Sequence, residues 1–243
     1  MELTYLLNSG FMVRSGRTVL LFDDYEDPSG TADRIIDAGN FDRLYIFVSH
    51  AHFDHFGTRI RAYAHIATRY IFSYDLRRTK RVKMFPANNI VYMKRYMEWS
   101  DEHLHVWTYD STDVGVSYLV ELDNGMRIFH AGDFNWWCWL GDTEDNQRLA
   151  EKAFKKQMLK LQNLDADLAF FPVDGRLEAA QEAGARIFVE QTDIKAFVAM
   201  HRVGYPRWEP TEAFFGKREP IPTWAPVTSG EKCLLVDGKF MPV

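Results

Sequence analysis

The sequence predicts a layered α/β fold, on three observations. Strand-like clusters alternate with helical segments in both halves of the chain. Two continuous apolar runs, Leu44 to Val48 and Leu168 to Val173, have the pattern of strands buried on both faces. Asn124-Gly125 separates two further strand-like runs, a strong short-range hairpin signal.

The elements follow in order. Leu3 to Leu7, Phe11 to Arg14 and Thr18 to Asp23 read as strands divided by the turn residues Asn8-Ser9-Gly10 and Ser15-Gly16-Arg17. Thr31 to Ala38 reads as a short helix stopped by Gly39-Asn40. The strand Leu44 to Val48 comes next, and a helix is expected from near Gly57. His103 to Thr108 reads as a strand, and Val116 to Leu122 with Met126 to His130 as the hairpin. Glu144 to Leu161 is strongly charged and carries Leu149, Ala153, Phe154, Met158 and Leu161, a spacing that predicts a helix with one buried face. Strands are expected at Asp167 to Val173 and Phe197 to Met200. Cys233 to Val236 and Lys239 to Met241, about Asp237-Gly238, predict a terminal hairpin.

Composition sets the class. The chain has 243 residues, 47% of them apolar and 26% charged, which suits an ordinary globular protein and excludes disordered, collagen-like and low-complexity chains. No Pro/Gly/Ser-rich stretch divides it and no repeat is visible, so a single domain over residues 1–243 is expected. With 29 Lys+Arg against 34 Asp+Glu the net charge is −5, which disfavours a general nucleic-acid binder. The basic run from Arg77 to Lys83 reads as a solvated face. The apolar runs fall short of the roughly 20 residues of a membrane helix, and the start of the chain lacks the pattern of a secretory signal. With only Cys138 and Cys233, these features give the expectation of a cytoplasmic protein with a small-molecule substrate and neither nucleic-acid nor membrane partners. They fix no oligomeric state.

The chemistry concentrates in Ser49-His50-Ala51-His52-Phe53-Asp54-His55-Phe56-Gly57, directly after a buried strand. On extended chain, residues two apart point the same way, so His50 and His52 can share one metal ion. Asp54 and His55 fall where the chain turns, which can aim them at a second ion. Imidazole with carboxylate suits zinc or manganese, with iron as a third candidate, in a site of one or two divalent ions. A polar loop with incidental histidines is the bland alternative, and four potential ligands at this spacing argue against it.

His50-x-His52-x-Asp54-His55 resembles the signature of the metallo-β-lactamase fold superfamily. Phe129-His130-Ala131-Gly132-Asp133 is similar to the family's strand-end Gly-Asp, and Ala199-Met200-His201 to its late histidine. Leu6 to Phe11 and Leu20 to Asp23 look like its first hairpin. The resemblance runs from about residue 2 to residue 201 in the family's order. Within the superfamily the chain looks most like the cytoplasmic branch of metal-dependent hydrolases that includes ascorbate-6-phosphate lactonase. It implies an αββα four-layer sandwich of two similar halves, with Asp133 bridging two metals and His201 as the last ligand.

One departure concerns the third histidine that most members place between the His-rich motif and the bridging Asp. The corresponding segment here is Trp107 to Asp113, where the position falls near Asp110. Either Asp110 is the ligand or none is supplied there. A carboxylate would make the site harder and favour manganese or iron. His103 and His105 are substitutes that lie early for this role. His130, three residues before Asp133, can orient a ligand or replace the missing histidine. His65 reads as structural.

Two cations lower the pKa of a bridging water and yield a hydroxide nucleophile near neutral pH, which implies hydrolysis of a small ester, lactone or phosphodiester. Asp54 and Asp133 are the candidate catalytic carboxylates. Trp136 and Trp137, with Trp139, either wall a substrate pocket or pack beneath a loop. Arg176, just after a strand end, either grips an anionic substrate or caps a helix. The proline-rich segment after His201 reads as an extended cover. Two rival readings remain: diiron redox chemistry on the same fold, and a non-catalytic or weakly metallated binding protein.

Overall fold

Turn chemistry builds the start of the fold. Strands β1 (Glu2–Leu7), β2 (Gly10–Ser15) and β3 (Thr18–Phe22) pair antiparallel in sequence. The β1–β2 turn depends on Asn8 at φ 54°, a left-handed conformation that Asn tolerates better than most residues. After helix α1 (Thr31–Asp37) the chain adds parallel strands β4 (Arg43–Val48), β5 (Arg69–Ser73) and β6 (Ile90–Met93).

The computed structural model describes all residues, 1 to 243, and the chain forms two compact units. The first comprises Met1–Lys94 and Pro226–Val243. Its terminal hairpin, named β16 (Lys232–Val236) and β17 (Lys239–Pro242) in chain order, completes an eight-stranded sheet ordered β17-β16-β1-β2-β3-β4-β5-β6. Leu21, Ile46, Phe56 and Phe72 are fully buried in one apolar cluster of this unit. The helix expected near Gly57 is a 3-10 turn over Arg59–His65.

The second unit comprises Arg95–Ala225. Its strands are β7 (Glu98–Ser100), β8 (Leu104–Asp110), β9 (Val116–Leu122), β10 (Arg127–His130), β12 (Leu168–Pro172), β14 (Phe197–Met200) and β15 (Thr223–Trp224). They form a seven-stranded sheet ordered β15-β14-β12-β10-β9-β8-β7, and β11 (Asp165–Ala166) pairs separately with β13 (Asp193–Ile194). The β9–β10 hairpin forms as the Asn-Gly signal predicts.

Helix α2 (Glu144–Leu161) is capped by Thr143, which accepts from the Asn146 N–H, and it buries Phe154, Gln157, Met158 and Leu161. Leu149 is 64% exposed, against expectation. At ~100° per residue, five residues place it about 140° around the helix from Phe154. Helix α3 (Ala183–Gln191) was not legible in the sequence. It contains Gly184, where an added Cβ would lie 2.1 Å from Asn135 Oδ1, so the glycine permits close packing at the expense of a clear helical pattern. No helix is long and apolar enough to cross a membrane.

Candidate metal centre

In each unit the candidate residues follow the carboxyl ends of adjacent parallel strands, where open α/β sheets commonly bind ligands. In the first unit, β3 leads into Asp23, β4 into the His-rich loop and β5 into Asp75. In the second, β10 leads to Asp133, β12 to Asp174 and β14 to His201.

The His-rich loop of the first unit is held from several sides. Asp23, 1% exposed, accepts from the Ser49 N–H at 2.7 Å and from Ser49 Oγ at 2.6 Å. Its Oδ2 also lies 2.7 Å from His55 Nδ1. That pairing turns His55 Nε2 toward Asp54 Oδ2, 3.8 Å away. Asn8 Nδ2 donates to the same Asp54 oxygen at 3.1 Å. His50 Nε2 lies 3.0 Å from His52 Nδ1, and the His50 and His55 ring centroids are 4.0 Å apart. The Ala51 N–H donates to Asp75 Oδ2 at 2.9 Å. Arg81, from the basic run, turns inward to donate to the Ala51 carbonyl at 2.6 Å and covers the Phe56 ring. One member of the run read as a solvated face thus braces the loop. His50, His52, Asp54 and His55 lie close together in this loop.

The second unit repeats the design. His201 sits at φ 63°, a strained conformation for a residue with a Cβ, of the kind that concentrates at functional sites. Its Nδ1 lies 2.9 Å from Asp174 Oδ2 and its Nε2 3.5 Å from Asp133 Oδ1. Burial alone would raise the Asp174 pKa, but hydrogen bonds from His201 and Arg176 outweigh it and bring the carboxyl down to about 2. Gly132 at φ 56° supplies the turn that presents Asp133.

Asp110, at the end of β8, binds elsewhere: its Oδ2 accepts from Arg95 at 2.9 Å and from Gln157 at 3.2 Å. The acidic group beside Asp133 is Asp113, their carboxylate oxygens lying within 4.8 Å. Reciprocal bonds tie the two segments together, Thr112 Oγ1 donating to the Asn135 carbonyl at 2.6 Å and accepting from the Asn135 N–H at 3.0 Å. His130 is fully buried, and its Nδ1 accepts from the Gly132 N–H at 3.2 Å, shaping the turn before Asp133. His105 stacks on Trp107 at 3.8 Å, and His103 contacts Asp123 at 4.0 Å. His65 bonds locally to the Ala62 carbonyl.

The two tryptophans differ in their surroundings. Trp136 stacks on buried Phe154 and packs internally. Trp137 donates to the Asp133 carbonyl at 2.9 Å and sets its edge against the His201 ring, 5.6 Å between centroids. Arg176 is committed to Asp174 through Nε at 2.9 Å and Nη2 at 2.5 Å.

The donor set suits a divalent first-row metal. Imidazoles are oriented through Nδ1 by buried carboxylates, the outer support that metal-ligating histidines characteristically have. Asp23, Asp174 and Asp113 were not assigned roles from the sequence. Asp23 and Asp174 carry a shared signal: each follows an apolar strand run directly.

No family model matches the sequence, and no curated protein matches it. Solved structures do. The chain is similar to Igni18, a metallo hydrolase from the hyperthermophilic archaeon Ignicoccus hospitalis, at TM-score 0.63 and 18% identity over 95% of this chain and 96% of that one. It is similar to the metallo-β-lactamase fold protein YhfI of Bacillus subtilis at TM-score 0.54 and 12% identity, over 95% and 98% of the two chains. An isothiocyanate hydrolase from Delia radicum gut bacteria matches at TM-score 0.55 and 14% identity, over 96% and 98%. The chain has the mixed α/β metallo-β-lactamase fold.

Proposed function

We propose that this chain is a metal-dependent hydrolase of a small ester, lactone or phosphodiester, with His50, His52, Asp54, His55, Asp113, Asp133 and His201 as its metal ligands. The observation that carries the reading is a repeated one. His55 and His201 are each held through Nδ1 by a buried carboxylate, and each turns Nε2 toward a second acid. Asp113 takes the place of the family's third histidine in this reading, supported by its proximity to Asp133 and by the engagement of Asp110 with Arg95 and Gln157.

When bound by these residues, divalent ions, zinc or manganese in the first instance, would supply Lewis acidity and lower the pKa of a water toward neutrality. The protein's own groups do the rest. Asn8 fixes the Asp54 carboxylate and the Gly132 turn presents Asp133, and either carboxylate can take the single proton that the nucleophilic water gives up before it attacks. Asp23 and Asp174 hold His55 and His201 in one tautomer. The resemblance to the lactonase-containing branch supports the substrate range. A cytoplasmic setting is part of the same proposal, supported by two cysteines that are both free thiols.

The test is elemental analysis of the purified protein together with hydrolysis of a panel of simple esters, lactones and phosphodiesters. His52→Ala and Asp133→Ala are expected to lose activity by at least 100-fold. Hydrolysis that survives both changes would overturn the reading, and bound metal without turnover of any panel member would favour a binding protein.

A further inference from the structure

The first unit carries a charged cavity that contains none of the proposed metal ligands. Strand register builds one wall of it. Met12, Thr4 and Lys232 form one row across β2, β1 and β16, and two residues along, Arg14 pairs with Glu2. Cross-strand partners share a face, as do residues two apart on one strand. Lys232, Arg14 and Glu2 therefore stand on the face where Met12 shares a buried apolar cluster with Ala32 and Ile36 of α1. The other wall is the flank of α1, where Thr31, Arg34 and Ile35 follow the helical spacing of one stripe. Together these residues line a cavity of about 500 Å³. Its walls are tied to each other. The Ser29 N–H donates to Ser229 Oγ at 3.2 Å, and Gly230 brings the chain before β16 so near that an added Cβ would lie 2.9 Å from Ser29 Cβ.

Neutral oxygens hold both guanidiniums at this cavity. Arg14 donates to the Asn40 carbonyl at 2.6 Å and to the Gly16 carbonyl at 3.3 Å. Arg34 donates to the Ser29 carbonyl and to Thr31 Oγ1, each at 2.8 Å. Each arginine spends two of its five N–H donors in this way, and none of these acceptors offsets its charge. Lys232 Nζ donates to Glu2 Oε1 at 3.2 Å, and Glu2 is the one carboxylate of the lining. The lining thus carries a net charge of +2, on a chain whose net charge is −5. A phosphate monoester, at about −2 near neutral pH, matches that charge, and its oxygens accept from a guanidinium fork in pairs. A single carboxylate would leave half of the charge unmatched. The volume lies within the ~300–1,000 Å³ of small-molecule sites, so it admits a carbon body beside the phosphate, with Ile35 as an apolar contact.

We propose that this cavity is a binding site for a small phosphate monoester, held by Arg14, Arg34 and Lys232. It shares no residue with the proposed metal centre, so the site stands whether or not the chain is a hydrolase.

The test is isothermal titration calorimetry with glucose 6-phosphate, and with glucose as the uncharged control, in about 150 mM NaCl so that diffuse attraction is screened. The wild type is expected to bind glucose 6-phosphate with a Kd below about 1 mM and to give no heat with glucose. Arg14→Gln and Arg34→Gln are each expected to weaken binding roughly 10-fold. Glu2→Gln removes the opposing carboxylate and is expected to tighten binding about 3-fold, a gain that a misfolded variant cannot produce. Divalent ions also bind phosphate, so His52→Ala, stripped of metal with EDTA, is titrated as well and is expected to match the wild type. Loss of binding in that variant would place the phosphate at the metal centre and overturn the site. No binding in the wild type, equal binding of glucose, or affinity untouched by both arginine changes would overturn it too.

Discussion

His55 Nδ1 lies 2.7 Å from Asp23 Oδ2, and both side chains are buried. The second unit contains the same relationship in His201 and Asp174, at 2.9 Å. In each case the carboxylate follows one parallel strand and the histidine follows its neighbour, β3 with β4 and β12 with β14. Strand pairing therefore sets the distance between acid and imidazole. The carboxylate fixes the proton on Nδ1 and leaves Nε2 as the basic nitrogen, the state that a divalent ion requires.

Asp23→Asn and Asp174→Asn are isosteric changes that remove the charge behind each histidine. Each is expected to weaken metal affinity by about 10–100-fold while the circular dichroism spectrum stays that of the wild type. Titration against a chromophoric chelator gives the affinity. Unchanged affinity in both variants would mean that the pairs are merely structural.

The two candidate carboxylates between the His-rich motif and Asp133 make opposite predictions. Asp113→Ala is expected to lower bound metal per chain after dialysis, and Asp110→Ala to leave it unchanged. Loss of Asp110 disturbs instead its contacts with Arg95 and Gln157, of which Arg95 is 65% exposed, so the stability cost should stay near 1 kcal/mol. Inductively coupled plasma mass spectrometry distinguishes the two, and metal loss in Asp110→Ala alone would reverse the assignment.

The legible parts of this fold were those with local signals. The Asn-Gly hairpin, the apolar run of β4 and the charged helix α2 each announce themselves within one short window. Helix α3 did not, because its glycine serves contact with Asn135 rather than helix formation. The site divides on the same line. His50, His52, Asp54 and His55 are contiguous and were visible as a group. Asp113 was not singled out, because strand pairing and the hydrogen bonds between Thr112 and Asn135, rather than nearness in the chain, bring its segment to Asp133. Asp23 and Asp174 gain their meaning from strand neighbours 32 and 27 residues away along the chain, a relation that no single window contains.

Gly57 closes the His-rich loop against the backbone of Tyr25. A Cβ there would lie 2.3 Å from the Tyr25 carbonyl oxygen and 2.7 Å from its Cα, and neither atom is the end of a flexible side chain. Gly57→Ala is thus expected to destabilise the protein by about 1–3 kcal/mol and to weaken metal binding by shifting the loop. Urea unfolding of the metal-free and metal-loaded protein measures both effects. A variant as stable as the wild type would show that the two segments can separate without consequence.

Asp24, next to the residue that holds His55, gives a pH prediction with a definite sign. Burial raises its pKa from 3.8 to about 7, offset only in part by Arg59, while the carboxylates of Asp27 and Asp33 push the same way as burial. Its Oδ1 is buried without a hydrogen-bond partner, consistent with a group that favours the neutral acid. The folded state then binds this proton more tightly than the unfolded state does. Its contribution is most favourable below pH 4, declines as pH rises toward 7 and is flat above. Asp24→Asn keeps the neutral shape and removes the titration. Between pH 5 and pH 8 the variant should gain roughly 2–3 kcal/mol on the wild type, read as a relative rise in the urea midpoint. Parallel midpoints across that range would show that Arg59 keeps Asp24 ionised throughout.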